Sequence, residues 1–205
     1  MRKKPISVPY RRKREGKTNY KKRLKLLLSN KPRLVIRPFL QNISAQIVEY
    51  HPEGDKTILA AHSRELEKFD WKFNKGNIPA AYLTGLLLGK KATKKNIKEA
   101  ILDIGLYTPT KGSRIFACLK GAIDAGISVP FSENILPNKE RISGQHIVKY
   151  AESSKATEKY QKIFSDYIKK NLDISQMSKI FEEVKNKILK VKPKELVPKT
   201  GGFQA

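Results

Sequence analysis

The chain is poor in the residues that supply redox chemistry, metal binding and negative charge. It has one cysteine and three histidines among 205 residues, and 19 acidic residues against 43 Lys and Arg. A single thiol cannot form an intramolecular disulfide and is too little for a zinc ribbon, so we expect a reducing, cytoplasmic compartment. His51, His62 and His146 contain no i, i+4 pair, which disfavours a metal site or a catalytic triad.

Long hydrophobic runs are also missing. The N-terminal residues have no apolar stretch of the length that a signal peptide needs, so we do not expect secretion. The longest apolar-rich run, residues 78–88, is about half the length of a bilayer span, and we interpret it as a core helix. A basic arm could bind an anionic membrane, but residues 1–23 lack an apolar helical face, so no membrane partner is expected.

Positive charge is what the chain has in excess, and it is concentrated at the N-terminus. Fifteen of the first 37 residues are Lys or Arg and only Glu15 opposes them, so this segment carries +14 of the net charge of +24. Charge this dense repels itself unless a polyanion neutralises it, and the commonest cellular polyanion is a nucleic acid. The segment therefore indicates an arm that binds phosphates.

The hydrophobic periodicity predicts four strands and two helices in the middle of the chain. The strands are expected at residues 33–39, 44–50, 57–63 and 100–106. Asn77 and Ser113 are expected to cap helices that run to about Lys95 and Gly126. The order βββαβα predicts an α/β fold with a mixed, mainly antiparallel sheet and helices packed on it, in which the fourth strand is parallel to one neighbour.

Two extensions flank this core. Pro5, Pro9 and Gly16 predict a basic extended N-terminal arm, followed by a short helix at residues 19–29. Two amphipathic C-terminal helices are predicted around residues 160–168 and 177–189; they close either on each other or on the core. A capping box of Asp173 and Gln176 precedes the second, and residues 191–205 are expected to be unfolded until they meet a partner. The predicted division is an arm and short helix at 1–30, a core at 31–150 and a helical extension with its tail at 151–205.

Few residues in the core suggest catalysis. Asp103 lies in an apolar strand and could be one carboxylate of a nuclease metal site, but no companion carboxylates are evident, so a buried, hydrogen-bonded aspartate is preferred. Gly85 and Gly89 are better explained by close helix packing than by a phosphate-binding loop. Cys118 is expected to be a small buried thiol.

The basic features fit nucleic acid better. Tyr10 and Tyr20 lie within the cationic run, where they either stack on unpaired bases or anchor the arm to its own core; the sequence favours neither. Residues 111–114 (KGSR) lie where a loop leads into a helix N-terminus. They are therefore either a candidate phosphate-binding site or simply a solvated loop.

Seven segments in order resemble a known family. They include RRKREGKTNYKKRLKLL at 11–27, NIPAAYLTGLLLGKKA at 77–92 and GSRIFACLKGAIDAGI at 112–127. The others lie at 32–37, 42–46, 100–106 and 140–147. The chain thus resembles the archaeal and eukaryotic type of the universal large-subunit ribosomal protein number eighteen, which binds 5S rRNA.

The resemblance implies a non-catalytic subunit, without a cofactor or a metal, that helps attach 5S rRNA to the large-subunit rRNA in the central protuberance. Its implied partners are both RNAs, a second 5S-binding ribosomal protein and other large-subunit proteins. The implied rRNA-binding residues are Tyr10, Arg11, Arg12, Lys13, Arg14, Lys17, Asn19, Tyr20, Arg23, Arg33, Arg37, Asn42, Gln46, Lys111, Ser113 and Arg114. From the residues alone, a metal-dependent RNA nuclease using Asp103 and a general RNA chaperone remain alternatives.

Overall fold

Four strands form one sheet in the computed structural model, which describes residues 7–155 and 157–190. The sheet order is β3-β2-β1-β4. β2 lies antiparallel to β1 and to β3, whereas β1 and β4 are parallel. This confirms the mixed, mainly antiparallel α/β sheet and the parallel fourth strand. The strands are β1 (Arg33–Pro38), β2 (Ile43–Glu49), β3 (Lys56–His62) and β4 (Ile101–Asp103).

The strand β4 is shorter than its apolar pattern predicts. The prediction of 100–106 was too long because the chain turns after Asp103. The Asp103 carboxylate accepts a hydrogen bond of 2.8 Å from the Gly105 backbone N–H, and Gly105 has φ +63°, a left-handed value that ends an extended strand. The turn carries the following loop along the carboxyl end of the sheet.

Two long helices cover one face of the sheet, where Leu34 and Ile36 of β1 are fully buried. The helix α3 (Ile78–Lys94) begins at Asn77, whose side chain accepts a hydrogen bond from the Ala80 N–H at 2.9 Å. The helix α4 (Arg114–Asp124) begins after Ser113, as predicted by position, although Ser113 makes no side-chain cap bond. Both helix predictions are confirmed to within two residues.

The helices α3 and α4 approach until their backbones touch. A Cβ on Gly85 would lie 1.9 Å from the Cys118 carbonyl oxygen, and a Cβ on Gly121 would lie 2.1 Å from the Tyr82 carbonyl oxygen. Only glycine fits at such separations, so the packing interpretation of Gly85 is confirmed. Cys118 is fully buried in this seam, and burial raises the pKa of its thiol to about 12.

A 3-10 helix at Ser63–Phe69 follows β3 and was not predicted, because its sequence SRELEKF has no apolar period. A reciprocal capping box begins it: the His62 side chain accepts from the Arg64 N–H, and Glu65 accepts from the His62 N–H. Lys91 of α3 is buried and donates to Glu65 at 2.6 Å, which ties this helix to the core.

The C-terminal helices pack on the core, which decides between the two arrangements left open above. The last of them carries Phe181, whose ring lies 5.6 Å from that of Tyr82 on α3. Asp173 caps a short 3-10 turn at Ile174–Gln176 by accepting from the Ser175 N–H, in place of the predicted capping box. The helices are α5 (Lys139–Ile142), α6 (Gln145–Ser154), α7 (Glu158–Ile163), α8 (Ser165–Lys169) and α9 (Met177–Lys190).

The stripe predicted at residues 160–168 is divided between α7 and α8 instead of forming one helix. Phe164 separates them and is buried, whereas Ile163 and Ile168 are about half exposed. The predicted unfolded tail, residues 191–205, lies outside the described residues. Within the described ranges, no helix is both long enough and apolar enough to cross a membrane.

Candidate nucleic-acid interface

The N-terminal arm is partly helical. The short helix α1 (Arg11–Arg14) corrects the prediction of an extended arm, and the helix α2 (Tyr20–Leu27) confirms the predicted helix near residues 19–29. Gly16, with φ +63°, reverses the chain after α1, so that the Lys17 N–H donates to the Arg12 carbonyl at 2.9 Å. Asn19 then caps α2 by accepting from the Lys22 N–H at 3.1 Å.

The arm lies over the face of the sheet that α3 and α4 leave open, and a groove of about 770 Å³ separates the two. The floor includes Val35, Val48 and Leu102 from three neighbouring strands. Seven basic and two acidic residues line the groove. Its cations are Arg12, Lys17, Lys22, Arg23 and Lys25 on the arm and Arg33 and Arg37 on β1.

A chain of alternating charges joins the arm to the floor of the groove. Arg23 on α2 donates to both carboxylate oxygens of Asp55, each at 2.9 Å. Arg33 donates to Asp55 at 2.5 Å and to Asp103 at 3.0 Å, so it bridges the two carboxylates. Arg37 completes the chain with a bond of 3.1 Å to Asp103. We call these five residues the ion chain.

The arginines of the ion chain favour the ionised form of Asp55. Burial opposes ionisation of Asp55, but hydrogen bonds and charge from Arg23 and Arg33 outweigh it and hold the pKa of this carboxyl below its ordinary value. The Arg33 side chain is only 5% exposed, so its two bonds to carboxylates form away from water, where they are strong. The ion chain therefore holds the arm against the sheet.

Other cations of the groove have weaker partners. Arg12 donates from Nε to the Thr18 hydroxyl at 2.9 Å, which orients its guanidinium. Lys17 pairs with Glu15 at 2.9 Å, and both side chains are substantially exposed. An exposed pair of this kind contributes about 0 to 1 kcal/mol, so a phosphate can displace Glu15 at little cost.

The two arm tyrosines contact each other. The rings of Tyr10 and Tyr20 are 5.1 Å apart and inclined by 41°, and Tyr10 is 72% exposed. This contact joins the start of α1 to the start of α2 and leaves most of the Tyr10 ring available for stacking on a base.

The comparison with known families agrees with this basic groove. The family model described as ribosomal large subunit proteins 60S L5, and 50S L18, matches residues 4–99 and 91–132, which include the arm, the sheet, α3 and α4. The chain belongs to this family. It is therefore a ribosomal protein of the large subunit and a component of a ribonucleoprotein that acts in translation, and the resemblance drawn from its sequence is confirmed.

Within this L5 and L18 family member, the structure brings together many of the residues expected from sequence to bind rRNA. Seven of them line the groove: Arg12, Lys17, Asn19, Arg23, Arg33, Arg37 and Gln46. Five more lie on the arm beside it: Tyr10, Arg11, Lys13, Arg14 and Tyr20. The N-terminal prediction thus corresponds to one continuous basic surface.

The remaining four predicted residues lie outside the groove lining. Asn42 is in the β1–β2 turn, where its side chain accepts from the Ser63 hydroxyl at 3.2 Å. Arg114 donates from one terminal nitrogen to the carbonyls of Phe39 and Gly76, at 2.8 and 3.0 Å. Lys111 and Ser113 precede α4, and the Ser113 hydroxyl is buried without a protein partner. Asn42 and Arg114 therefore also stabilise the protein's own loops.

Sequence reasoning overlooked Lys22 and Lys25 as site residues and Asp55 as a partner of the arginines. The lysines were counted in the cationic run, but only the helical phase of α2, set by the Asn19 cap, shows which of its side chains meet the groove. Asp55 lies in the turn before β3 and carries no local signal, because its contact with Arg23 spans 32 residues.

Asp103 has the role preferred above. It is buried and accepts hydrogen bonds from Arg33, Arg37 and the Gly105 N–H. Two guanidinium groups therefore occupy the carboxylate that a nuclease would use to hold a cation. In the part of the chain that the structure describes, no group of three or more His, Cys, Asp or Glu side chains is arranged to hold a metal ion.

Proposed function

We propose that this large-subunit protein binds 5S rRNA through the groove and the arm, and helps to attach it to the large-subunit rRNA in the central protuberance. The observation that carries the proposal is the basic groove between α2 and the open sheet face. The proposed role is structural and non-catalytic, and a second 5S-binding ribosomal protein is its proposed neighbour.

The charge distribution supports a phosphate backbone as the occupant. Arg12, Lys17, Lys22 and Lys25 line one wall, while Asp55 and Asp103 are already neutralised by the arginines of the ion chain. The net charge of the wall therefore attracts polyanions, and contacts of this kind supply affinity that falls with salt. The exposed Arg11, Lys13 and Arg14 extend the same field along the arm.

The shape of the groove supports selection of a folded RNA. Double-stranded RNA is recognised largely by its shape and backbone, and unpaired bases by stacking. The ion chain fixes the wall against the floor, and Tyr10 lies at the start of α1 with an exposed ring. A fixed spacing between phosphate contacts and a stacking ring can select one RNA fold, whereas a loose cationic tail cannot.

The second group, Lys111, Ser113, Arg114 and Asn42, is proposed as a weaker contact. Lys111 is exposed and free of acidic neighbours in sequence, but Arg114 is partly committed to backbone carbonyls. We therefore expect substitutions in this group to reduce RNA affinity less than substitutions in the groove.

The test is binding of the purified protein to 5S rRNA at about physiological salt, with excess tRNA as competitor and magnesium present. We expect tight binding that tRNA does not erase, with the RNA intact. Equal binding of both RNAs would replace the proposal with a general RNA chaperone. Fragments that appear only with magnesium would replace it with a nuclease.

A further inference from the structure

An exposed apolar cluster lies at the carboxyl end of β1 and β4. Its members are Phe39, Leu40, Leu106 and Tyr107, with 55%, 91%, 54% and 41% of their surfaces exposed. A single exposed leucine is ordinary on a protein surface. A contiguous group of large exposed apolar side chains, by contrast, marks an interaction site. We call these four residues the apolar tip.

Two loops meet to form the apolar tip. Because β1 and β4 are parallel, with Val35 opposite Asp103, the residues that follow both strands emerge at the same edge of the sheet. The Tyr107 hydroxyl donates to the Pro38 carbonyl at 2.8 Å and so joins the loop after β4 to the turn after β1. The four side chains therefore belong to one surface.

The backbone of the apolar tip is held in place before any partner binds. The Phe39 N–H donates to the Asn42 carbonyl at 2.8 Å, and Arg114 donates to the Phe39 carbonyl. A Cβ on Gly76 would lie 2.8 Å from the Leu40 carbonyl oxygen, so the base of the turn is packed against the segment before α3. A preorganised surface loses little conformational entropy when it docks.

The two loops that form the apolar tip carry no acidic residue of their own. Residues 38–42 and 104–113 contain no Asp or Glu, whereas Lys111 lies in the second loop and Arg114 donates to the Phe39 carbonyl of the first; Arg37 is nearby but is paired with Asp103. A second copy of the chain is excluded as the occupant by repulsion, since each copy carries a net charge of +24. An apolar surface with an acidic rim would be complementary to the apolar tip and to the cations beside it.

We propose that the apolar tip is the docking surface for another protein of the large subunit, one that presents an apolar groove with an acidic rim. Protein is favoured over RNA because Leu40 and Leu106 contribute aliphatic area, which is stabilised by burial against apolar side chains and adds little to base stacking. Arg37 and Arg114 also direct nitrogens to backbone carbonyls, which leaves them fewer donors for phosphates. The inference rests on family membership and not on 5S rRNA. Because Leu106 also lines the groove, the variant that tests it changes only Phe39 and Leu40.

The test places a benzophenone amino acid at position 40 of the full-length protein within assembled large subunits. After irradiation and nuclease digestion, we expect an adduct to a ribosomal protein at a site flanked by acidic residues. An adduct to rRNA, the absence of any adduct, or a partner site without acidic residues would each overturn the proposal.

A second variant measures the contribution of the surface. Phe39→Ser combined with Leu40→Ser should keep the melting temperature of wild type, because both side chains are exposed, and neither lines the groove. Its incorporation into large subunits, in competition with wild type, should fall by at least about tenfold, since burying a phenylalanine and a leucine is worth more than that factor. Ile163→Ser on α7, which is also about half exposed, is the matched control and should incorporate normally. Equal incorporation of the double variant and wild type would also overturn the proposal.

Discussion

Arg23 and Asp55 form a two-point ion pair that fastens the helix α2 to the turn between β2 and β3. Both terminal nitrogens of the guanidinium donate to the two carboxylate oxygens, each at 2.9 Å. Asp55 simultaneously accepts from the buried Arg33. One carboxylate thus connects the cation-rich arm with the sheet.

Asp55→Asn should lower the free energy of unfolding by about 2 kcal/mol. The amide keeps the size of the side chain but loses the charge that faces Arg23 and Arg33, and a hydrogen bond to a charged group contributes about 1.5 to 3 kcal/mol. Urea unfolding with an unchanged m-value would measure the loss. Glu53→Gln, an exposed substitution in the same turn, is the control and should leave stability unchanged. A variant at position 55 as stable as wild type would show that the charge of Asp55 contributes nothing to the free energy of unfolding.

The stability difference between wild type and Asp55→Asn should depend on pH. The pKa of Asp55 is lower in the folded protein than its ordinary value of 3.8, so its contribution is fully present above that value. The contribution should decline as the pH falls through the lower pKa of the folded state. Urea titrations at several pH values between 7 and 3 should give a constant difference down to about pH 4 and a shrinking one below. A difference that grows on acidification would contradict the assigned direction.

Lys22→Gln combined with Lys25→Gln should weaken binding to 5S rRNA and reduce its salt dependence. Each lysine that neutralises a phosphate contributes about 0.7 to 0.9 to the slope of log K against log salt, so the pair should make the slope shallower by about 1.5. Lys179→Gln with Lys190→Gln on α9 changes the net charge equally and lies outside the groove, which makes it the matched control. If the control variant loses as much slope as the groove variant, the net charge and not the groove determines affinity.

Alanine substitutions at the glycines between α3 and α4 should destabilise the protein to different degrees. The degree depends on which atoms the added methyl group contacts. Gly85→Ala places a Cβ 1.9 Å from the backbone of Cys118, whereas Gly89→Ala places one 2.4 Å from the Ala125 side chain. Backbone cannot move aside without separating the helices, and overpacking a core typically costs about 1 to 3 kcal/mol or more. We expect Gly85→Ala to be the more destabilising in thermal unfolding. The reverse order would mean that the helices separate easily.

The sequence predicted the core of the fold because its signals are local and periodic. Strands β1 to β3 and helices α3 and α4 lie within two residues of their expected limits, since alternation, the Asn77 cap and the apolar run at 78–88 all act over a few residues. The 3-10 helix Ser63–Phe69 lacks an apolar period; a local capping box of His62 and Glu65 begins it, and Glu65 also accepts from Lys91, 26 residues away.

The candidate site was predictable in charge and not in geometry. Composition located the cations of the arm, but it could not show that Arg33, which the resemblance implies as an rRNA contact, is enclosed by Asp55 and Asp103. The sequence contains no sign that two carboxylates 48 positions apart share one guanidinium. For the same reason it could not show that Arg114, expected at an RNA-facing corner, also holds the β1–β2 turn.

The ion chain also affects whether the groove can fold before RNA binds. Arg33 and Arg37 on β1 and Arg23 on α2 would repel one another without counterions, and Asp55 and Asp103 supply those counterions from the polypeptide itself. The floor of the groove can thus complete its folding before any RNA is present, with its own carboxylates standing where phosphates would otherwise be required. The charge balance of the floor therefore does not depend on RNA phosphates.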